Sequence, residues 1–316
     1  MRNEEGRSHR PSSITEMTTF DDPHLASSGA AGPGRRLSTF FFRHPRVRLW
    51  ALLALPLAWL VVVYFGSLFI LLLSSLWDTD PFTREVVHSF TLENFQRIIE
   101  TPVFRDVAWR TIQMAVFVTI ADAILAFPIA YYMARVASPR TRDVLVVLVL
   151  VPLWANYLVK AYAWRTILSD GGVINWALEP ISLQFDGLST VGLWLVFTYL
   201  WLPFMILPIY AGLERIPSSF LEASADLGGR SLTTFTRVIL PLAFPAIVAG
   251  SIFTFCLTLG DYIAPGLITS DQFIGTVIYS IRGEALPTAA AFSLVPIVVV
   301  VAYLLVARRL GAFESL

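Results

Sequence analysis

The chain has 316 residues, of which 56% are hydrophobic and 15% are charged, and its formal net charge at pH 7 is zero. A mean hydropathy of +0.66 is too high for a soluble domain of ordinary composition. The zero net charge, together with the lack of a basic patch interleaved with aromatic residues, argues against a nucleic-acid partner. The single cysteine, Cys256, excludes a disulfide within the chain. Together these values indicate a membrane protein.

Catalytic chemistry is not apparent in the sequence. Lys160 is the only lysine, and a phosphate-binding P-loop requires a Gly-Lys-Ser/Thr sequence, so the chain is not itself a Walker-type ATPase. Neither a nucleophile–base pair nor a metal-ligand cluster is visible. We therefore predict that the chain has no catalytic residue, no metal site and no cofactor, and that any ATP hydrolysis takes place in a partner.

Residues 1–38 are rich in Ser, Gly, Pro and charged residues, which is typical of a disordered tail. We predict that arginines in and after this tail hold it in the cytoplasm. Residues 39–316 are predicted to form one membrane domain.

Apolar runs long enough to cross a bilayer recur six times. A helix rises about 1.5 Å per residue, so about 20 apolar residues span the hydrocarbon core. The predicted spans are residues 49–77, 111–134, 144–167, 191–213, 240–262 and 289–307. We expect the third span to be broken near Pro152, and a short amphipathic helix to follow Thr91.

The distribution of arginines predicts the orientation of these spans. Six spans place both termini on one side of the membrane. Arginines cluster in the tail, in the 135–142 turn, in the polar segment 214–239 and at the C-terminus. Because cytoplasmic loops carry an excess of Lys and Arg, both termini and the 214–239 segment are predicted to be cytoplasmic.

The 214–239 segment has the pattern of two short helices. Ser219 and Glu222 fit a Ser-x-x-Glu capping box, which predicts a helix starting at about Phe220. Glycines at 228 and 229 would end that helix by supplying left-handed backbone positions. Ser231 is then placed to cap a second helix that runs toward Leu240.

The first of these helices has two distinct faces. Phe220, Ala223 and Leu227 share one face, and Glu222 and Asp226 form an acidic face at i, i+4 spacing. We therefore expect a short, preformed helix–glycine–helix unit that lies at the membrane surface.

The segment resembles the cytoplasmic EAA loop of permease subunits in bacterial ABC importers. The resemblance rests on Glu222-Ala-Ser224, on Gly228, and on Val238-Ile-Leu-Pro241. Ser224 replaces the second alanine of the motif and Val238 replaces isoleucine. In that family the helix of this loop inserts into a groove on the ATPase, and its acidic residue pairs with a basic residue there. The residues that the resemblance implicates in ATPase coupling are Glu222, Ala223, Ser224, Asp226, Gly228, Leu240 and Pro241.

Shorter motifs between Thr91 and Arg309 are similar to the first permease subunit of spermidine/putrescine-type importers. They are Thr91-Leu-Glu-Asn-Phe95, Phe127-Pro-Ile-Ala-Tyr131, Val151-Pro-Leu-Trp-Ala-Asn156 and Gly260-Asp-Tyr-Ile-Ala-Pro265. The resemblance implies an all-α, polytopic type I ABC importer permease in the bacterial inner membrane. It also implies a second, related permease in a heterodimer, two ATP-binding subunits that hold ATP and magnesium, and an extracytoplasmic solute-binding protein.

Polar residues within the spans are the candidates for the solute path, because polar groups in hydrocarbon usually face a cavity. They are Asp261, Tyr262, Trp154, Asn156, Asp122 and Lys160. Asp261, Tyr262 and Trp154 best suit a polyamine, through ion pairing and cation–π contact. Structural roles remain open: Asp122 bonding a neighbouring helix, Lys160 snorkelling or pairing with a carboxylate, and Trp154 packing at the interface.

Three alternative functions remain at this point. An ion-gradient-driven secondary transporter would use Asp122 and Asp261 as ion sites, but it would typically show repeated halves, which are not found. An ABC importer of a different small solute would have the same sequence features. A membrane enzyme or scaffold would require a catalytic cluster, which is not visible.

Overall fold

A computed structural model describes residues 45–80 and 82–311. The predicted disordered tail, residues 1–38, lies outside this range. The fold is all-α apart from one two-stranded hairpin, as the sequence predicts. The helices, in chain order, are α1 Pro45–Trp59, α2 Gly66–Ser74, α3 Glu93–Glu100, α4 Pro102–Tyr131, α5 Pro139–Trp154, α6 Tyr157–Leu168, α7 Val173–Leu178, α8 Thr190–Glu214, α9 Ser218–Asp226, α10 Ser231–Thr234, α11 Leu240–Gly260, α12 Ile263–Ile268, α13 Ile274–Ile281 and α14 Leu286–Arg309.

Three π-helical segments, one 3₁₀ turn and two short strands complete the described secondary structure. The π-helical segments are Leu60–Phe65, Tyr132–Val136 and Phe235–Ile239, and the 3₁₀ turn is Glu179–Ile181. Strands β1 Asp78–Thr79 and β2 Val86–Val87 pair antiparallel.

The chain divides into two units, at Phe65 and Gly66. The described part of the first unit is α1 with the π-helical segment that follows it. Its large apolar side chains, such as Trp50, Leu55 and Val62, are exposed. A helix that is apolar on all sides suits a hydrocarbon surrounding.

Five helical stretches are long and apolar enough to cross a membrane: Leu52–Ser74, Pro102–Val136, Thr190–Glu214, Ser231–Gly260 and Leu286–Arg309. A bent pair, Pro139–Trp154 with Tyr157–Ile181, would make a sixth span, with an angle of 92° between its halves.

Two predicted spans begin earlier than expected. The second starts at Pro102 rather than near residue 111, because a proline at the first helical position has its φ already set for a helix. The fifth is continuous from Ser231 rather than starting near residue 240. The second helix expected in the 214–239 segment is therefore the first part of this span.

The third span is broken close to Pro152, as the sequence predicts. Pro152 lies inside α5, and the chain leaves the helical conformation at Ala155 and Asn156, both of which have extended ψ angles. The carbonyl of Pro152, in the last turn, accepts a hydrogen bond from Lys160 Nζ at 3.0 Å. The lysine thus satisfies one carbonyl that the helix end leaves without an intrahelical donor.

The core of the second unit is formed by α4, α8 and α11. Small residues allow these helices to approach closely. A Cβ placed on Gly212 would lie 2.3 Å from Ala246 Cβ, and one on Gly250 would lie 2.8 Å from Met205 Sδ. This close packing makes the three helices a rigid frame for the polar segments at their ends.

The amphipathic helix α3 is held between α2 and α14 by a buried amide. Asn94 Nδ2 donates to the carbonyls of Ser75 and Trp77 at 3.1 and 2.7 Å. Asn94 Oδ1 accepts from the Thr288 hydroxyl at 2.9 Å. One side chain therefore connects the end of α2, α3 and the start of α14.

Candidate functional site

The acidic helix between the fourth and fifth spans, α9, begins at Ser218 rather than at Phe220. Its N-cap is Pro217, whose side chain makes no cap hydrogen bond. The predicted capping box is therefore wrong: Ser219 is already inside the helix. Proline sets an extended entry to the helix without a side-chain acceptor. The helix from Ser231 likewise lacks the predicted serine cap, because Arg230 occupies the N-cap position.

The glycine pair ends α9 through two different mechanisms. Gly228 has φ of 74°, the left-handed conformation that the sequence predicts. Gly229 is not left-handed, but a Cβ there would lie 2.6 Å from the Ser224 carbonyl oxygen. The Ser224 hydroxyl also pairs with the Thr234 hydroxyl at 2.8 Å. These contacts fix the angle between α9 and the helix that follows.

The outer surface of α9 presents acidic and apolar side chains together. Glu222 and Asp226 are exposed, and within the described part of the chain neither forms an ion pair or a side-chain hydrogen bond. Phe220 is half-exposed and Leu227 is 89% exposed. An acidic, partly apolar and unpartnered surface of this kind suits contact with a basic groove on another protein.

The base of this segment is held by an arginine that the sequence analysis did not single out. Arg135 Nη2, at the end of the second span, donates to the carbonyls of Leu213 and Ile216 at 2.5 and 2.6 Å. Beside it, Arg142 Nη1 lies 2.9 Å from Glu214 Oε1. The two arginines flank the turn between the second and third spans, so this turn is joined to the start of the 214–239 segment.

Apolar contacts add to this anchoring. Ile216 and Ile239 are buried in a cluster with Met133. The Phe235 ring packs edge-on against Phe127, with a centroid distance of 5.5 Å. The acidic helix is therefore exposed on its outer side, whereas both ends of its segment are packed against the spans.

Leu240 and Pro241 follow the π-helical segment Phe235–Ile239. Proline has no N–H to donate to a carbonyl one turn earlier, and such a gap is a known cause of local helix widening. These two residues therefore lie within one continuous helix rather than at its entrance.

The break in the third span meets the end of the fifth span. Tyr157, the first residue after the third-span break, donates its hydroxyl proton to Asp261 Oδ2. Asp261 Oδ1 accepts from the backbone N–H groups of Ile263 and Ala264 at 2.7 and 3.2 Å. The structure thus brings Asp261 to the third-span break: Oδ2 joins the two spans, and Oδ1 caps the short helix that follows Asp261.

The other third-span candidates have local roles. Asn156 Oδ1 caps α6 by accepting from the Leu158 N–H at 2.9 Å, and Lys160 bonds the Pro152 carbonyl rather than a carboxylate. Trp154 is 86% exposed, so a neighbouring helix does not enclose it in the described chain.

Asp122 stands apart from the other candidates. It is fully buried, at 0% exposure. Within the described residues neither of its carboxylate oxygens has a hydrogen-bond partner, so the expected bond to a neighbouring helix is not formed. No bond joins it to the other five candidates.

The candidate Tyr262 has an aromatic neighbour that the sequence analysis missed. Tyr262 stacks on Tyr279 with a centroid distance of 4.9 Å and an interplanar angle of 16°. Tyr157, also missed, stacks on Trp201 at 6.0 Å. The signal for Tyr279 is the short apolar helix between the fifth and sixth spans, on which it lies.

Five apolar helical stretches and one bent pair, with the exposed acidic helix α9 beyond the end of the fourth span, are the architecture of a polytopic membrane protein. The fold agrees with solved importers. The chain matches a chain of a bacterial alginate ABC transporter with a TM-score of 0.67, at 19% identity over 87% of this chain and 98% of that one. It matches a chain of the MetNI methionine ABC transporter with a TM-score of 0.53, at 14% identity over 66% and 94% of the two chains.

The chain belongs to the family of binding-protein-dependent transport system inner membrane components, whose model matches residues 126–313. It is 48% identical over 310 residues to the inner membrane ABC transporter permease protein YdcU of Escherichia coli, a match that covers 92% of this chain and 98% of the relative. It is 34% identical over 230 residues to the Escherichia coli spermidine/putrescine transport system permease protein PotB, which covers 70% and 81%. The protein is thus an ABC importer permease subunit, as the motif in 214–239 predicts.

Proposed function

We propose that this permease forms the membrane pathway for a small cationic solute such as spermidine or putrescine, and that α9 couples it to a separate ATPase. The observation that carries the coupling proposal is the exposed acidic surface of α9 on a segment with anchored ends. Because Arg135 and the apolar cluster hold those ends, a displacement of α9 moves the ends of several spans together. Rigid-body movement of packed helices is the expected form of alternating access.

The proposed assembly contains four kinds of subunit. A second, related permease would complete a heterodimeric pathway, and two ATP-binding subunits would hold ATP and magnesium. An extracytoplasmic solute-binding protein would deliver the solute. In this arrangement the 214–239 segment and both termini are cytoplasmic, in agreement with the Arg135–Arg142 cluster and Arg308-Arg309.

Two features support a cationic solute. The PotB relative is described as a spermidine/putrescine permease. In addition, the carboxylate of Asp261 and the exposed rings of Tyr262 and Trp154 lie near the third-span break and the end of the fifth span, and a broken helix in a membrane is tolerated where it lines a cavity or is buried in protein. The YdcU name specifies no solute, so an ABC importer of a different small solute is the competing reading. Family membership counts against the ion-gradient-driven alternative.

Reversing the exposed charge on α9 tests the coupling proposal. Glu222→Lys combined with Asp226→Lys should leave the fold intact, because both side chains are exposed and unpaired. We expect the variant to lose copurification with the ATP-binding subunit and to lose ATP-dependent uptake of radiolabelled putrescine in proteoliposomes. Asp170→Lys, an exposed acid in the 169–189 loop, is the matched control. A reversed variant that still binds the ATPase and imports normally would refute the proposal.

A further inference from the structure

The face of Tyr279 carries a cation in the structure. The guanidinium carbon of Arg282 lies 3.7 Å from the centroid of the Tyr279 ring. Arg282 is exposed, and within the described residues its side chain forms no ion pair. A ring face attracts cations because its π-electrons make it electrically negative. In the structure this aromatic face is therefore occupied by a positive group.

The ring pair is built into the fold. Tyr262 follows the end of the fifth span, and Tyr279 lies on α13, so the stack joins two separate elements. Gly275 allows α13 to approach, since a Cβ there would lie 2.5 Å from the Asp261 carbonyl oxygen and 2.9 Å from Tyr262 Cβ. The buried Ile274 N–H donates to the Thr111 hydroxyl at 3.0 Å. These contacts set the position of the two rings relative to the second and fifth spans.

The rings remain accessible despite this packing. Tyr262 is 42% exposed and Tyr279 is 48% exposed. Both lie between the end of the fifth span at Gly260 and the start of the sixth at Leu286, which is the membrane side opposite α9. In the proposed orientation this side faces the solute-binding protein.

We propose that the Tyr262–Tyr279 stack is a loading subsite for an alkylammonium group of the solute, and that Arg282 covers this site when no solute is present. The inference rests on the proposed function and specifies which residues first receive the cation. An arriving ammonium would take the place of the guanidinium on the ring, and methylene groups of the solute would lie along the aromatic surface. The side chain of Arg282 is exposed and flexible, so its guanidinium can return to water when the solute displaces it.

This arrangement makes the two positions respond in opposite directions. Removing the ring removes the site, so Tyr279→Leu should weaken solute binding. Removing the competing cation frees the site, so Arg282→Gln should tighten binding. If Arg282 instead bound an anion or another subunit, Arg282→Gln would weaken the binding of that anion or subunit. Tyr279→Phe keeps the aromatic face, and Arg84→Gln removes a cation on the same side that pairs with Glu284 at 3.5 Å.

The test uses the assembled transporter without its binding protein, purified in detergent, with radiolabelled spermidine as the ligand in equilibrium dialysis. We expect Tyr279→Leu to raise Kd by about 3- to 30-fold and Arg282→Gln to lower it by about 2- to 10-fold, the range of cation–π contacts. Tyr279→Phe and Arg84→Gln should leave Kd unchanged. If a melting curve shows that Tyr279→Leu fails to fold, the direction in which Arg282→Gln changes Kd decides whether the proposal stands.

Two results would overturn the proposal, and they can be told apart. If the wild-type transporter binds and imports spermidine while Tyr279→Leu binds it as tightly, or while Arg282→Gln binds it more weakly, the subsite is wrong and the cationic solute stands. If the wild-type transporter neither binds nor imports spermidine or putrescine, the solute class and the subsite fail together.

Discussion

Arg135 links the second span to the start of the 214–239 segment, which carries α9. Its guanidinium donates to the carbonyls of Leu213 and Ile216 from a half-buried position. Hydrogen bonds to a charged group contribute about 1.5–3 kcal/mol each, and water replaces part of this when the group is lost. Arg135→Gln should therefore cost about 2–3 kcal/mol locally, which makes the anchored form of the segment about 30- to 150-fold less favoured.

The assay is the number of ATP molecules hydrolysed per solute imported, measured in proteoliposomes that contain the whole transporter. We expect Arg135→Gln to assemble normally, to hydrolyse ATP and to import at least tenfold less solute per ATP, since a loosened segment no longer moves the spans as one body. Arg135→Lys should import an intermediate amount of solute per ATP, because a single ammonium group replaces the planar guanidinium with its several donors. Arg140→Gln is the matched control: Arg140 lies in the same turn and is exposed. An unchanged ratio of ATP to solute in Arg135→Gln would refute the reasoning.

Three further predictions follow from the same contacts. Gly228→Ala places a side chain at φ 74° and should destabilise the end of α9 by about 1–2 kcal/mol. We expect faster proteolysis near residue 228 in this variant. An unchanged rate of proteolysis would contradict the prediction. Tyr157→Phe removes the hydroxyl bond to Asp261 and should lower Tm by about 3 °C. The double variant Tyr157→Phe/Asp261→Asn should lose less stability than the sum of the losses in the two single variants. If the two losses add fully, the two side chains do not interact. Glu222→Gln keeps the exposed helix and removes only its charge, so melting should be unchanged while ATP-dependent uptake falls by about fivefold; normal uptake would remove Glu222 from the coupling role.

Much of the fold follows from features that are local in sequence. Apolar runs of sufficient length locate the spans, and the left-handed glycine at 228 is visible as a helix stop. The capping box was wrong because Pro217 sets the helix entry two residues before the predicted start. The third-span break lies near Pro152 as predicted, but Pro152 itself is tolerated within the last turn, where Lys160 bonds its carbonyl.

The candidate site could be predicted only in part, because its contacts join residues far apart in the chain. The motif alone indicates Glu222 and its neighbours. By contrast, Arg135 reaches carbonyls 78 and 81 positions away, and Tyr157 reaches Asp261 across 104. These pairs depend on how the helices pack, and no local pattern reports that packing. The distinct role of Asp261, with both oxygens occupied, is likewise visible only in three dimensions.

The most direct test of coupling through α9 uses a thiol cross-link. Cys256 is the only cysteine, so Cys256→Ser gives a background into which Ala223→Cys, exposed on α9, can be introduced. The account predicts that this thiol cross-links to the ATP-binding subunit in the assembled transporter and that the yield changes when ATP is added. A cysteine at Ser270, exposed beyond the opposite end of the spans, should give no such product. Absence of the cross-link at residue 223 in a complex that still imports solute would contradict the account.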